Sequence, residues 1–89
     1  MNYATKAVWA LQAIRPDLPD ELAALYALLV LTRGTETTLQ DVHDAWAIWR
    51  QTTNLQHRSL IPFDQLSKEV QELDRPYQHL IHKVAQELT

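Results

Sequence analysis

The 89-residue chain carries a net charge of −3, contains one glycine and no cysteine, and is 46% hydrophobic. These values predict a single small globular domain, because a chain of this length supplies just enough apolar residues for one core. They exclude a disulfide scaffold, a thiol nucleophile and a cysteine zinc site, and they argue against the basic surface that is typical of nucleic-acid-binding domains.

The N-terminus lacks the apolar segment of a signal peptide, and the longest apolar run, residues 22–31, is about half as long as a membrane-spanning helix. We therefore expect a cytoplasmic protein with no membrane or nucleic-acid partner.

The first predicted helix runs from about Tyr3 to Arg15, with Asn2 as its N-cap and Pro16 as its stop. Trp9 lies off the buried seam of this helix. It either packs against a second neighbour inside the fold, which is the favoured position in so small a chain, or faces outward as an interface anchor. The seam itself comprises Tyr3, Ala7, Ala10, Leu11 and Ile14.

A second helix is apolar on nearly all sides from residue 22 to residue 31. Asp17 is predicted to cap it, with Pro19 in its first turn. A helix of this kind is either surrounded by other helices or gives one face to a partner subunit. The run ends at Gly34, where a left-handed residue after the helix is expected.

A third helix is predicted to begin at Thr38, which with Asp41 resembles a capping box in which Asp takes the place usually held by Glu. His43 and Arg50 flank its buried face, and Ile48 lies on the opposite side, which suggests a partner surface. The two tryptophans of the buried face are expected to fill the core, although an aromatic wall for a planar ligand is the alternative. The face comprises Leu39, Val42, Ala45, Trp46 and Trp49.

A polar connector, residues 51–56, leads into residues 57–73, which are rich in turn signals. Pro62 forces an extended chain, and its apolar neighbours are predicted anchors. Asp64 is expected to cap a short turn, and Ser67 to cap a short helix over residues 68–73. The apolar positions of this segment are Leu60, Ile61, Phe63, Val70 and Leu73.

The last predicted helix is capped by Asp74 and carries Pro76 in its first turn. Its buried positions are Tyr77, Leu80, Ile81, Val84, Ala85 and Leu88. Together the elements predict an all-α domain spanning residues 1–89. It is a small bundle of about four main helices, in which residues 3–33 form an N-terminal helical pair and residues 57–73 dock on the third helix.

His79 and His82 have a spacing that can bind metal, but they lack a third ligand, and we expect them on the solvated surface. His43 and His57 are expected to bond a backbone carbonyl or a carboxylate inside the fold, with a role in a site as the alternative. Arg75 either pairs with a nearby acid or recognises an anion near His57.

Catalysis has little support in this sequence. A single glycine excludes a phosphate-binding loop, and Ser59 and Ser67 lack the context of an activated nucleophile. A helix-turn-helix around Gly34 has the right size, but Asp41 and Asp44 would stand where a recognition helix contacts DNA and would repel phosphate. No enzyme, metal or cofactor is expected.

Three parts of the sequence resemble the RyR domain, a module named for ryanodine receptors that also occurs in bacterial and phage proteins. They read Val42-His43-x-x-Trp46, then His57-x-x-Leu60-Ile61-Pro62-Phe63-Asp64-x-Leu66-Ser67, then Asp74-Arg75. The similarity covers about Thr38 to Leu80, and the chain is also similar to small proteins of actinobacterial phages. RyR domains usually carry a longer segment with a Gly-Trp step where this chain has only residues 51–56.

The resemblance implies a non-enzymatic interaction or ligand-sensing module. The residues that it carries over are His43, Trp46, His57, Asp64, Asp74 and Arg75. The leading prediction is a protein-interaction module of phage or prophage origin that contacts itself, as a homodimer, or a protein of its bacterial host. The predicted interface residues are Trp9, Tyr26, Leu29 and Ile48. The alternative is a sensor or sequestering protein that binds a nucleotide or another small anion.

Overall fold

The computed structural model describes the whole chain, Met1–Thr89, as five α-helices without a β-strand. The helices are α1 (Tyr3–Ile14), α2 (Asp20–Thr32), α3 (Leu39–Arg50), α4 (Lys68–Glu72) and α5 (Arg75–Leu88). Two single 3-10 turns occur at Gly34–Glu36 and Phe63–Gln65. The predicted all-α bundle of four main helices is therefore confirmed, with α4 as a short fifth element. None of the helices combines the length and the apolar character that a membrane crossing requires.

Three of the predicted caps are present. The Asn2 side chain accepts a hydrogen bond from the Thr5 amide at 2.8 Å. The capping box of α3 is complete, because the Asp41 amide donates to the Thr38 hydroxyl and the Thr38 amide donates to the Asp41 carboxylate. The Ser67 hydroxyl likewise caps α4. These three caps could be predicted from the sequence, because each cap side chain accepts a hydrogen bond from an amide only three residues away.

Two other predicted caps are wrong, and a third has the predicted position but lacks the capping hydrogen bond. Pro19 occupies the N-cap position of α2, and the Asp17 carboxylate instead binds the Arg15 guanidinium at 2.9 Å. Asp64 lies inside its 3-10 turn, and the N-cap of that turn is Pro62. Asp74 stands at the N-cap of α5 but makes no capping hydrogen bond.

Gly34 has φ of +55°, in the left-handed region, as predicted for the residue that follows α2 and its C-cap. The turn that it makes brings Thr37 into the interior, where the Thr37 carbonyl oxygen accepts hydrogen bonds from Gln78 at 3.0 Å and from His82 at 2.8 Å. His82 is thus half-buried and bonded to the backbone, so its predicted place on the solvated surface is wrong, whereas His79 is exposed.

α2 is the central helix of the domain and packs against α1, α3 and α5. This position explains why α2 is apolar on nearly all sides. The core is one cluster of buried side chains, namely Ala7, Leu11, Leu18, Leu22, Ala23, Tyr26, Ala27, Val30, Val42, Ala45, Leu80, Ile81, Val84 and Ala85. Tyr26 is only 1% exposed, so its predicted place on an interface is wrong.

Several side chains predicted to be buried are exposed instead. Tyr3, Ile14 and Leu88 each belong to the terminal residue of a helix, where the neighbouring helices no longer cover them. Trp9 is 57% exposed, so its favoured internal position is wrong. Leu73, which directly follows α4, is also exposed.

Residues 57–73 lie across α3, which confirms their predicted docking. The ring of His43 on α3 contacts the Ile61 carbonyl oxygen at 2.8 Å, and the Gln71 side chain donates to the carbonyl oxygens of Phe63 and Leu66. The His43 contact joins the segment to α3, and the two Gln71 bonds hold the segment's own turns together.

Candidate ligand groove

A groove of about 410 Å³ opens where the docked segment and the start of α5 meet α2 and α3. This volume lies within the range of small-molecule sites. Four aromatic side chains line it, namely Tyr26, Trp46, Trp49 and Tyr77. The titratable side chains that line it are Asp17, His43, Arg50, His57 and Asp74. The groove therefore combines large apolar faces with a few charged groups, as ligand sites usually do.

Trp46 forms one wall of the groove and is held by two histidines. The His43 ring stacks against it at 5.6 Å between centroids, and the His57 ring meets it edge-on at 5.1 Å. The Ser59 amide donates to His57 Nδ1 at 3.0 Å, so this nitrogen is an acceptor and the proton of the neutral ring is on Nε2. Both predicted histidines are thus part of the wall.

His43 is 3% exposed, and its two ring nitrogens have different surroundings. Nε2 lies 2.8 Å from the Ile61 carbonyl oxygen, which can only accept a hydrogen bond, so Nε2 carries a proton. Nδ1 faces the Asp74 carboxylate at 4.0 Å, beyond hydrogen-bond distance. In the neutral ring Nδ1 is therefore an acceptor that points toward another acceptor.

Asp74 is the second unusual acid–base group of the groove. Burial raises the pKa of its carboxyl group to about 6, and a positive charge on His43, present only when that ring is protonated, opposes this rise. Burial, and to a lesser extent the charge of the same carboxylate, raises the pKa of Tyr26 well above its ordinary value. Asp74 thus keeps a poorly solvated negative charge at neutral pH in a place where no side chain of the protein donates to it.

Arg50 is a groove residue that the sequence analysis placed only on the flank of α3. Its guanidinium lies 4.6 Å above the Trp49 ring and 6.0 Å from the Trp46 ring. Its Nε is buried and has no hydrogen-bond partner. The spacing of Arg50, one and four residues after the two tryptophans, was the signal that could have indicated this contact.

Arg75 and Asp64 do not reach the groove. The Arg75 guanidinium forms two hydrogen bonds of 2.9 and 2.8 Å with the Glu72 carboxylate, and Asp64 is exposed in its turn. One residue of α-helix rotates the side chain by about 100°, so Asp74 and Arg75 cannot point to the same place. Of the six predicted ligand residues, the structure brings together His43, Trp46, His57 and Asp74.

The rim of the groove is fixed by Arg15. Its guanidinium lies 4.9 Å above the Tyr77 ring, donates to the Tyr77 hydroxyl at 3.2 Å and pairs with Asp17. The hydrogen bond from Arg15 lowers the pKa of Asp17. Because Arg15 and Asp17 pair with each other, Asp74 and Arg50 are the groove charges that lack such a hydrogen-bonded partner.

A second, shallower groove of about 250 Å³ lies between α2 and α3 on another side of the domain. The exposed fractions of Leu28 and Ile48 are 55% and 59%. Leu29, a predicted interface residue, is half-buried beside them, and Leu28 is an exposed apolar residue that the sequence analysis did not name. Nowhere in the chain do three His, Cys, Asp or Glu side chains converge as a metal ion would require.

The model of one protein family, described as "Domain of unknown function (DUF7701)", matches residues 2–86 of this chain. No curated protein and no solved structure matches it. The family match includes α1 and α2, which the RyR resemblance does not cover, and that resemblance stays a prediction.

Proposed function

We propose that this chain, which belongs to the family described as a domain of unknown function (DUF7701), is a non-enzymatic binding protein whose aromatic groove holds a small anionic ligand. The observation that carries the proposal is the state of Arg50. Its guanidinium is held against two indole rings at the edge of the groove, its Nε is buried without an acceptor, and no acidic side chain pairs with it.

A buried N–H without a partner costs the folded protein about 1–3 kcal/mol. A carboxylate or phosphate on the ligand would offset part of this cost through charge-assisted hydrogen bonds to the planar guanidinium. The face of Trp49 restricts the orientations that Arg50 can adopt, so little conformational entropy is lost on binding. The anion site is therefore organised before the ligand arrives.

The walls of the groove supply the remaining affinity. Trp46, Trp49 and Tyr77 present aromatic surface that a planar or apolar part of the ligand can cover. A groove of about 410 Å³ accommodates a small molecule and not a folded partner.

Native mass spectrometry of the gently purified protein tests this proposal. We expect a retained small molecule on the unmodified chain, its loss in Arg50→Gln, and its retention in Arg75→Gln, in which the altered arginine lies outside the groove. Titration of the Trp9→Phe variant with benzoate, inorganic phosphate and AMP provides the second readout. In that variant the tryptophan fluorescence comes only from Trp46 and Trp49, both of which line the groove.

A bare mass together with unchanged fluorescence in all three titrations would contradict the proposal. An equal loss of ligand in Arg50→Gln and Arg75→Gln would contradict the assignment of Arg50 as the anion-binding group.

A second candidate function is protein contact through the surface of α2 and α3, either with another copy of the chain or with a host protein. Leu28 and Ile48 on this surface are more than half exposed, as is Trp9 on α1, and large apolar side chains in such positions are frequent anchors of interfaces. Light scattering at micromolar concentration tests self-association. We expect a dimer that Ile48→Asp dissociates and Arg50→Gln leaves intact, and a monomer for the unmodified protein would leave only the host partner.

A further inference from the structure

We infer that the ligand of this groove is a small zwitterion related to an α-amino acid, with its ammonium group between His43 and Asp74 and its carboxylate on Arg50. This inference rests on the proposed function and adds the chemical class of the ligand. It depends on three features: the tautomer of His43, the distance between His43 and Asp74, and the short separation between this pair and Arg50.

The first feature is the excess of hydrogen-bond acceptors at one end of the groove. The Ile61 carbonyl oxygen fixes the proton of His43 on Nε2, so Nδ1 of the neutral ring offers a lone pair. Asp74 offers carboxylate oxygens on the opposite side. Two acceptors that face each other repel unless a group with at least two hydrogens lies between them.

The second feature is that the gap between these acceptors suits a nitrogen with several hydrogens. His43 Nδ1 and Asp74 Oδ2 are 4.0 Å apart. For a ligand nitrogen about 2.9 Å from both atoms, the Nδ1–nitrogen–Oδ2 angle is roughly 90°. An ammonium group can donate to both atoms with two of its three N–H bonds. A carbonyl or ether oxygen has no hydrogen to give there.

The electrostatics of this end favour a cation over a neutral amine. Asp74 carries a carboxylate whose burial is reflected in its raised pKa, and a positive group beside it would stabilise the charged form. The charged groups around Asp74 are few: His43 from α3 is the only basic side chain within 4.0 Å of it, and Tyr26 from α2 is neutral. Aromatic faces also attract a cation, and the groove is lined by tryptophan and tyrosine.

The third feature limits the length of the ligand. Arg50 lies 6.0 Å from the Trp46 ring, and Trp46 lies 5.6 Å from the His43 ring, so a single indole separates the two ends. A guanidinium–carboxylate contact and an ammonium–imidazole contact each occupy about 4 Å between centres. A ligand that lies in line between the two ends therefore has at most about 4 Å between its ammonium nitrogen and its carboxyl carbon.

This separation identifies the class of ligand. In an α-amino acid the two charged groups are joined through one carbon, which satisfies the limit. A nucleotide does not, because its phosphate and its base amino group lie on opposite sides of a sugar. The side chain of the amino acid would lie on the remaining aromatic wall, formed by Trp49 and Tyr77.

Isothermal titration calorimetry with three matched probes tests the inference. The probes are L-phenylalanine, 3-phenylpropanoate, which lacks the ammonium group, and 2-phenylethylamine, which lacks the carboxylate. We expect phenylalanine to bind and each analogue to bind at least tenfold more weakly. Asp74→Asn should weaken phenylalanine binding at least tenfold and leave 3-phenylpropanoate unchanged, whereas Arg75→Gln should change neither.

Two results would overturn the inference and leave the proposed function intact. One is equal affinity for phenylalanine and 3-phenylpropanoate, which would show an anion site without an ammonium site. The other is a nitrogen NMR spectrum of the free protein at pH 7 in which His43 carries protons on both nitrogens, because the histidine itself would then neutralise Asp74. The absence of binding by all three probes, while benzoate, phosphate or AMP still binds, would overturn the inference alone. The absence of binding by all six compounds, together with a bare mass, would contradict the anion-binding function as well.

Discussion

Two regions at opposite ends of α3 differ in their buried polar groups. These groups are hydrogen-bonded in the turn between α2 and α3, and they lack partners in the groove. In the turn, the Thr37 hydroxyl donates to the Gly34 carbonyl oxygen at 2.8 Å, and the Thr37 carbonyl oxygen accepts from two side chains of α5. In the groove, Arg50 Nε has no acceptor for its hydrogen, and no side chain donates a hydrogen bond to the Asp74 carboxylate. Paired polar groups hold a fold together, whereas unpaired ones cost stability and are retained where a ligand completes them.

The largest effect should come from removing both donors to Thr37. The double variant Gln78→Leu/His82→Leu leaves the carbonyl oxygen of a residue that is 2% exposed without a partner, and we expect it to lose about 3 kcal/mol of unfolding free energy. Each single variant should lose only about 1 kcal/mol, because the other donor still satisfies the oxygen. Urea denaturation measures all three. A double variant that equals the sum of the single ones would show that the two donors do not share this role.

Asp74→Asn should have the opposite sign. A carboxyl group whose pKa rises to about 6 on folding binds its proton more tightly in the folded state, so the protein loses stability as the pH increases from about 4 to about 6. Asparagine removes that loss. Two pKa units set a ceiling of about 3 kcal/mol, and we expect a gain of about 1–2 kcal/mol at pH 7, since solvent still reaches part of the group.

The gain in Asp74→Asn should largely disappear at pH 4, where the carboxyl group is protonated in the folded state and about half protonated in the unfolded state. Thermal denaturation at the two pH values measures this difference. The control is Asp41→Asn, which removes a carboxylate from a complete capping box and should therefore destabilise the protein at pH 7. A stability loss in Asp74→Asn at pH 7 would indicate that Asp74 belongs with the paired groups of the turn.

The contrast between these two regions also explains which parts of the structure were predictable. The capping box at Thr38 and the left-handed Gly34 depend on neighbours in sequence, and both were predicted correctly. The apolar pattern likewise predicted the four main helices. Local interactions of this kind can be predicted from sequence, because the residues that interact are three or four positions apart.

The groove depends on distant contacts, so only part of it was predicted. His43, Trp46, His57 and Asp74 were named together, but Arg75, which lies outside the groove, was predicted to recognise an anion, and Arg50, which lines it, was not named as a site residue. The difference lies in side-chain direction: Glu72 is within reach of Arg75, whereas Arg50 lies over Trp49 and has no acid nearby. Which of two arginines is left unpaired depends on the tertiary structure and not on either local sequence.

Gly34→Ala tests the turn through its backbone alone. A β-carbon at this position would lie 3.8 Å from the β-carbon of Ala85, which is an ordinary contact. The cost should therefore come only from φ of +55°, and we expect a loss of about 1 kcal/mol. Urea denaturation measures it, and Gly34→Asn is the matched control, since asparagine tolerates this conformation better than alanine. Equal losses in both variants would mean that steric contacts, and not the backbone angle, set the cost.

The smallest effect is expected for Arg50→Leu, and its sign is informative. Leucine keeps apolar contact with Trp49 and removes a buried N–H that has no partner, so the unfolding free energy should stay constant or rise by up to about 1 kcal/mol. Arg33→Leu is the matched control. Arg33 binds Asp41 at 2.9 Å, so its loss should destabilise the protein by about 0.5 kcal/mol. If Arg50→Leu destabilised the protein more than Arg33→Leu, Arg50 would be a structural residue and the anion site would lose its main support. If Arg50→Leu retains stability and loses its ligand, the two regions differ as their hydrogen bonds indicate, because only the groove keeps a charged group that the fold does not use.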